Sequence, residues 1–133
     1  MTGKPEPNGS VSWKGWIERA EEDYLLAISA LRRKTPLTYG ATFHAQQCIE
    51  KYLKALMLYR QVSFPRTHDL AALGYLCGQA GIILPVDDDA LDLLAAYAVE
   101  TRYPGISPTV EEANEAVKLA RIMRRFIKRT LSL

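Results

Sequence analysis

The chain has 133 residues, of which 48% are hydrophobic, and its formal net charge is only +2. This length allows one domain with a sizeable core and excludes two domains of ordinary size. The small net charge argues against a protein that coats nucleic acid or is strongly steered to a membrane, although it is compatible with a local basic patch.

Residues 1–12 are rich in proline, glycine and polar side chains, without the apolar stretch that a signal peptide needs. We expect a disordered leader there, followed by a single helical domain over residues 13–133. No apolar run approaches membrane-spanning length, and Cys48 and Cys77 lie in separate apolar patterns without a CxxC pair. Buried free thiols in a reducing compartment fit this distribution best. We therefore expect a cytoplasmic protein without a membrane partner.

The first two helices are predicted from apolar residues that recur at steps of three and four. Ser10 or Ser12 is available as the N-cap of the first helix, which ends at Lys34-Thr35-Pro36. A second long helix is predicted over residues 37–60, and the short turn between the two indicates an antiparallel hairpin. The aromatic residues of the first helix are typical of a core or of a dimer seam. They are Trp13, Trp16 and Tyr24.

The third and fourth predicted helices are shorter. The third begins near His68 and stops before Gly81. Pro85 and the run Asp87-Asp88-Asp89 indicate the start of the fourth, because carboxylates favour the positive end of the helix dipole. The alternative is that this run binds a divalent cation. Three consecutive residues on a helix point in different directions, however, so we predict no metal site.

A last helix follows a helix-breaking segment. The fourth helix must end near Arg102, because Pro104-Gly105 cannot continue it. Thr109 and Glu112 then have the spacing of a capping box at the start of the fifth helix. No segment alternates convincingly with period two. The chain is therefore predicted to be all-α, an up-and-down antiparallel bundle of four to five helices.

A polar stripe on the second helix is the first candidate site. It consists of His44, Gln47, Lys51 and Lys54. At about 100° per residue these positions share a narrow arc, where ammonium groups suit phosphate and an amide suits a base edge. The alternative is that Lys51 and Lys54 belong to a solvated face on which Glu50 pairs with Lys54 at four-residue spacing.

Two further groups could join a polar cleft between helices. His68 and Asp69 open the third helix, but Thr67 is well placed to cap that helix, so Asp69 could simply complement its N-terminus. Arg102 and Tyr103 precede the break at Pro104-Gly105, and an arginine fork suits phosphate. The alternative is that this guanidinium bonds to helix-end carbonyls or to a nearby glutamate.

The last helix is acidic at its start and basic at its end. This distribution suits the helix dipole and favours a stabilising role. The alternative is a basic stripe that contacts RNA or an acidic partner. The basic residues are Lys118, Arg121, Arg124, Arg125, Lys128 and Arg129.

Three segments together resemble the HEPN family, the higher eukaryote and prokaryote nucleotide-binding domain. They are FHAQQCIEKYLKAL on the second helix, Thr67-His68-Asp69-Leu70 at the start of the third and Arg102-Tyr103-Pro104 at the end of the fourth. The resemblance covers residues 16–131. It implies an up-and-down bundle that is usually dimeric and, in bacteria and archaea, often encoded beside a minimal nucleotidyltransferase. In some such pairs the two proteins are toxin and antitoxin.

The chain departs from the ribonucleases that this family includes. Those enzymes resemble one another in an arginine followed, after four to six residues, by a histidine, whereas no histidine follows Arg102 here. Both histidines, His44 and His68, precede it, and Arg60 is separated from His68 by a loop. Metal-independent RNA cleavage needs a base and an acid, which histidine supplies near neutral pH. The chain is thus a variety that lacks the Arg-x4-6-His motif.

We therefore predict a non-catalytic module that binds a nucleotide or RNA, forms a homodimer, works with a nucleotidyltransferase partner and needs no cofactor. The expected binding residues are His44, Gln47, Lys51, Lys54, His68, Asp69, Arg102 and Tyr103. One alternative is a ribonuclease toxin in which His44 or His68 is the acid or base and Arg102 or Lys51 stabilises the phosphorane charge. The other is a purely structural helical adaptor.

Overall fold

The computed structural model describes residues 12–100 and 103–133, and in these ranges it contains five α-helices and no strand. The predicted all-α bundle is confirmed. Arg102 and all of the expected leader except Ser12 lie outside the described residues. None of the described helices is both long and apolar enough to cross a membrane. The helices are α1 (Trp13–Arg32), α2 (Thr38–Tyr59), α3 (Leu70–Gln79), α4 (Asp88–Glu100) and α5 (Val110–Thr130).

Two of the predicted helix starts are confirmed in detail. The Ser12 side chain caps α1 by accepting a hydrogen bond from the Gly15 backbone N–H. At α5, the Thr109 hydroxyl accepts from the Glu112 backbone at 3.0 Å, while the Glu112 carboxylate accepts from the Thr109 backbone at 2.8 Å. This reciprocal pair satisfies two N–H groups that the first turn leaves without helical partners.

The start of α3 differs from the expectation. Asp69, not Thr67, is the N-cap, and its carboxylate accepts hydrogen bonds from the backbone of Ala71 at 3.0 Å and of Ala72 at 3.3 Å. The helix therefore begins at Leu70, later than the predicted start near His68. The Thr67 hydroxyl instead accepts from the Asp69 backbone. The correction has a simple cause, because the cap must immediately precede the first helical residue.

Helix α2 forms the centre of the bundle and packs against all four other helices. Thirteen of its 22 residues are buried, so only a minority of its side chains face solvent. Alanines of both α1 and α2 are buried, and small side chains of this kind allow packed helices to approach closely. These alanines include Ala20, Ala27, Ala30, Ala41 and Ala45.

Both cysteines are buried free thiols, as expected. Burial raises the pKa of Cys77 to about 11. Burial also raises the pKa of Cys48 well above its ordinary value, and the nearby carboxylates of Asp23 and Glu21 add to this shift. Neither thiol is therefore poised to act as a nucleophile, which would require a lowered pKa.

The contact between α3 and α4 depends on the absence of a side chain at Gly74. A Cβ atom at Gly74 would lie 2.5 Å from Cδ1 of Leu91, a buried residue of α4. We expect Gly74→Ala to lower the free energy of unfolding by roughly 1–3 kcal/mol, because Leu91 must repack. Urea denaturation followed by circular dichroism measures this change.

Gly78 on the same helix is the matched control. An added Cβ there meets no atom within 4 Å, and alanine favours a helix over glycine by about 1 kcal/mol. Gly78→Ala should leave stability unchanged or raise it. Equal urea midpoints for the two variants would contradict the close packing of α3 on α4.

Candidate functional site

The predicted polar stripe of α2 lies at two clusters of charged side chains, each built around a buried carboxylate. The Asp23 cluster comprises Asp23 of α1 with His44 and Lys51 of α2. The Glu50 cluster comprises Glu50 and Lys54 of α2 with His68, which precedes α3. Gln47 lies on α2 between the two clusters and is partly exposed.

The Asp23 cluster joins the first two helices. Nδ1 of His44 lies 2.8 Å from Oδ1 of Asp23, and the Lys51 ammonium donates to Oδ2 of the same carboxylate. An ionised carboxylate only accepts hydrogen bonds, so Nδ1 carries a proton and Nε2 remains available to another partner. Since His44 and Lys51 are both partly exposed, a ligand in solvent could reach them.

The Glu50 cluster is more deeply placed. Glu50 is buried, with Oε2 at 3.1 Å from Nζ of Lys54 and 3.0 Å from Nδ1 of His68. The Lys54 side chain is only 5% exposed, because its ammonium lies 5.1 Å from the centre of the Trp16 ring and 5.9 Å from that of Phe64. The His68 side chain, by contrast, is 80% exposed.

The structure tests the alternative interpretation of the stripe, in which Lys51 and Lys54 lie on a solvated face and Glu50 pairs with Lys54. The pairing of Glu50 with Lys54 is confirmed. The expectation that Lys54 lies on a solvated face is wrong, because aromatic rings from α1 and from the α2–α3 connection cover it. Lys51 is partly exposed and is bound to Asp23.

The other predicted site residues are Asp69, Tyr103 and Arg102, which are not members of either cluster as defined above. Asp69 uses its carboxylate to cap α3. Tyr103 is exposed beyond the end of α4. Arg102 falls between the described ranges, so its predicted role stays a prediction.

A third carboxylate, Glu21, was not singled out from the sequence. It accepts hydrogen bonds from Nε and Nη2 of Arg124 at 2.9 and 3.0 Å, and a further one from the Tyr52 hydroxyl. Nζ of Lys128 lies 3.5 Å from Oε1 of Glu21. Burial alone would raise the pKa of Glu21, but these hydrogen bonds and charges bring it below its ordinary value. The basic end of α5 is thus partly used to hold α1.

Asp23 was also missed, although the sequence contains a signal for it. It lies three residues after Ala20 and four before Ala27, both of which are core positions of α1. A carboxylate on the buried face of a helix must be paired with a cation or a hydrogen-bond donor inside the protein. This spacing could have indicated a buried acceptor for cations on a neighbouring helix.

The acidic run at the start of α4 has a structural role. The Asp87 carboxylate accepts a hydrogen bond of 2.8 Å from the Ala90 backbone, which satisfies an N–H of the first turn. Within residues 12–100 and 103–133, no group of three or more histidine, cysteine, aspartate or glutamate side chains could hold a metal ion.

Comparisons with known proteins identify what this bundle is similar to. The sequence model of the HEPN domain matches residues 13–130. The crystal structure of TT1696 from Thermus thermophilus is 30% identical, covers 88% of this chain and 96% of its own, and superposes with a TM-score of 0.64. The crystal structure of ST0689, an archaeal HEPN homologue, is 22% identical in sequence and superposes with a TM-score of 0.66. The match covers 90% of this chain and 98% of ST0689. No protein with a curated function matches the sequence.

The buried pair of the Glu50 cluster can be tested by a double-mutant cycle. Among the residues that the structure describes, Lys54→Met would leave the buried carboxylate of Glu50 with the exposed His68 as its one partner, and it should lower the free energy of unfolding by roughly 3–5 kcal/mol. Adding Glu50→Gln should restore much of that loss, because no buried charge remains. Urea denaturation of both single variants and the double variant gives the coupling energy. A double variant no more stable than Lys54→Met would contradict the pairing.

The Glu21 contacts predict a specific dependence of stability on pH. A carboxylate whose pKa is lower in the folded protein adds stability above its unfolded pKa, and this contribution disappears as pH falls through the folded pKa. Glu21→Gln should therefore lower the free energy of unfolding by roughly 1–2 kcal/mol at pH 7. The difference in unfolding free energy between this variant and the parent should shrink below about pH 4. Thermal unfolding of the parent and the variant between about pH 7 and pH values below about 4 measures this difference. Glu22→Gln, at the exposed neighbouring position, is the control and should show no such trend.

Proposed function

Since the chain belongs to the HEPN domain family, we propose that it is a module that binds a nucleotide or RNA without itself catalysing a reaction. The observation that carries the proposal is the Asp23 cluster, which holds an imidazole and an ammonium side by side at a partly exposed position. The ammonium of Lys51 keeps N–H groups that suit phosphate oxygens, and Nε2 of His44 adds a donor in the imidazolium form, in which both ring nitrogens carry protons.

The charges of the two clusters set a limit on the affinity for phosphate. Asp23 offsets the charge of Lys51, and Glu50 offsets that of Lys54. Binding therefore depends on hydrogen bonds of defined direction more than on net positive potential, and it strengthens when His44 or His68 is protonated. We include Arg102 in the proposal as a further phosphate ligand, since a guanidinium fork matches a phosphate group.

A binding role also agrees with how the histidines are held. Cleavage without a metal needs an acid and a base acting on one phosphodiester, whereas His44 and His68 are bound to different carboxylates. One observation favours the second candidate, a ribonuclease: each Nδ1 is held by a carboxylate, which is how a general-base histidine is oriented.

The family membership also supports proposals about partners. We propose that the module forms a homodimer and works beside a minimal nucleotidyltransferase in a toxin–antitoxin-like pair. Leu25 and Leu26, both exposed on α1, offer apolar area for such contacts. The two buried free thiols support a reducing, cytoplasmic location.

The binding proposal predicts a loss of affinity when the Asp23 cluster is altered. We expect Lys51→Ala and His44→Ala each to raise the Kd of the purified chain for a fluorescein-labelled single-stranded RNA, or for a nucleotide, by roughly tenfold or more. Arg33→Ala removes an exposed cation outside the clusters and controls for net charge. Affinities equal to that of Arg33→Ala would rule out this site, and absence of binding by the parent chain would overturn the proposed function.

The parent chain, His44→Ala and one further variant, His68→Ala, decide between binding and catalysis. We expect the RNA to remain intact in the presence of a chelator. Cleavage by the parent chain that is lost in both His44→Ala and His68→Ala would instead establish a ribonuclease with a site unlike the family motif. Cleavage retained by Arg33→Ala, purified in the same way, would distinguish this activity from a contaminating nuclease.

A further inference from the structure

Two aromatic side chains at the start of α2 are stacked on each other in solvent. The rings of Tyr39 and Phe43 have centroids 6.1 Å apart and an interplanar angle of 21°. They are 49% and 41% exposed, respectively. Each ring covers part of the other, while both leave apolar area open to a ligand.

This aromatic pair is continuous with the candidate binding site. The Phe43 ring contacts that of His44, with centroids 5.2 Å apart and planes at 81°. His44 is the residue that Asp23 orients. Gln47 lies four residues beyond Phe43, about 6 Å along the helix and on the same side of it. Aromatic faces, an imidazole, an amide and an ammonium thus follow one another along α2.

We propose that Tyr39 and Phe43 form a stacking platform for unpaired bases of a single-stranded RNA, whose phosphates lie against His44 and Lys51. The inference rests on the proposed function and specifies its ligand. Unpaired bases present a flat face that stacks on aromatic rings, whereas the bases of a duplex are already stacked and paired. Two rings about one helical turn apart suit successive nucleotides better than a single free one.

The neighbours of the rings favour RNA over an apolar protein surface. A protein that covered Phe43 would also remove water from the adjoining ion pair of Asp23 with Lys51 and from the Asp23–His44 hydrogen bond, and desolvated charges are costly without new partners. A nucleotide supplies both an aromatic face for the rings and an anion for the cations. It therefore matches the whole surface.

The test compares RNA affinities of variants of the full chain by fluorescence anisotropy. Tyr39→Leu and Phe43→Leu keep a side chain that suits a helix but remove the flat ring. Each should raise the Kd for a fluorescein-labelled single-stranded octaribonucleotide by roughly five- to 100-fold. Tyr75→Leu, at a tyrosine of α3 that is 65% exposed, is the matched control and should bind as the parent does. The same RNA in a duplex should compete poorly.

Other outcomes overturn the inference in distinguishable ways. If RNA binding requires Lys51 but both leucine variants bind normally, the platform is wrong and the proposed function stands. If the parent chain binds no RNA or nucleotide, both are wrong. Full competition by a nucleoside monophosphate at concentrations equal to the RNA would assign the rings to a free nucleotide. Loss of self-association in sedimentation velocity, with unchanged RNA affinity, would assign them to an interface between copies of the chain.

Discussion

The buried carboxylate of Glu50 is the constraint around which this end of the bundle is organised. A charge inside a protein must be paired, and here the partner is a lysine one turn later on the same helix. That lysine in turn needs cover, which Trp16 and Phe64 provide with their rings. Helix α1 and the α2–α3 connection are therefore both held against the polar side of α2, and the connection positions His68 above the carboxylate.

Helix α1 carries a paired carboxylate on each of two sides. Glu21 and Asp23 are two residues apart, so they point in directions about 200° apart on the helix. Glu21 binds cations of α5, and Asp23 binds a lysine and a histidine of α2. Ion pairs of this kind add little net stability where they replace hydration. Their clearer effect is on register, since sliding α1 by one turn would leave both carboxylates without partners.

The elements of the fold could be predicted because their causes are local. Apolar spacing and the Thr109 cap depend on residues within a few positions of one another, and the bundle followed from them. The environment of Lys54 could not be predicted in this way, because Trp16 and Phe64 lie far from it in the sequence and cover it only after folding. The predicted cap of α3 was wrong for a different reason. Thr67 and Asp69 both have side chains that cap helices well, and only the backbone geometry selects between them.

The candidate site was predictable in part for the same reason. One stripe of α2 could be read from helical periodicity, and it includes His44 and Lys51. Periodicity within one helix cannot reveal that Asp23 of another helix joins these two residues. The sequence pattern thus identified His44 and Lys51, and the fold supplied the carboxylate of Asp23 that binds both of them.

The two buried thiols make the motions of this bundle accessible to chemistry. Cys48 lies in α2 and Cys77 in α3, each shielded from solvent and held in the unreactive protonated form. A thiol reagent can modify either residue only when its surroundings open, so the labelling rate reports the free energy of local opening. Comparing the two rates would show whether the α1–α2 hairpin and the α3–α4 pair separate together or independently. The protein therefore carries one natural reporter in each half of its structure.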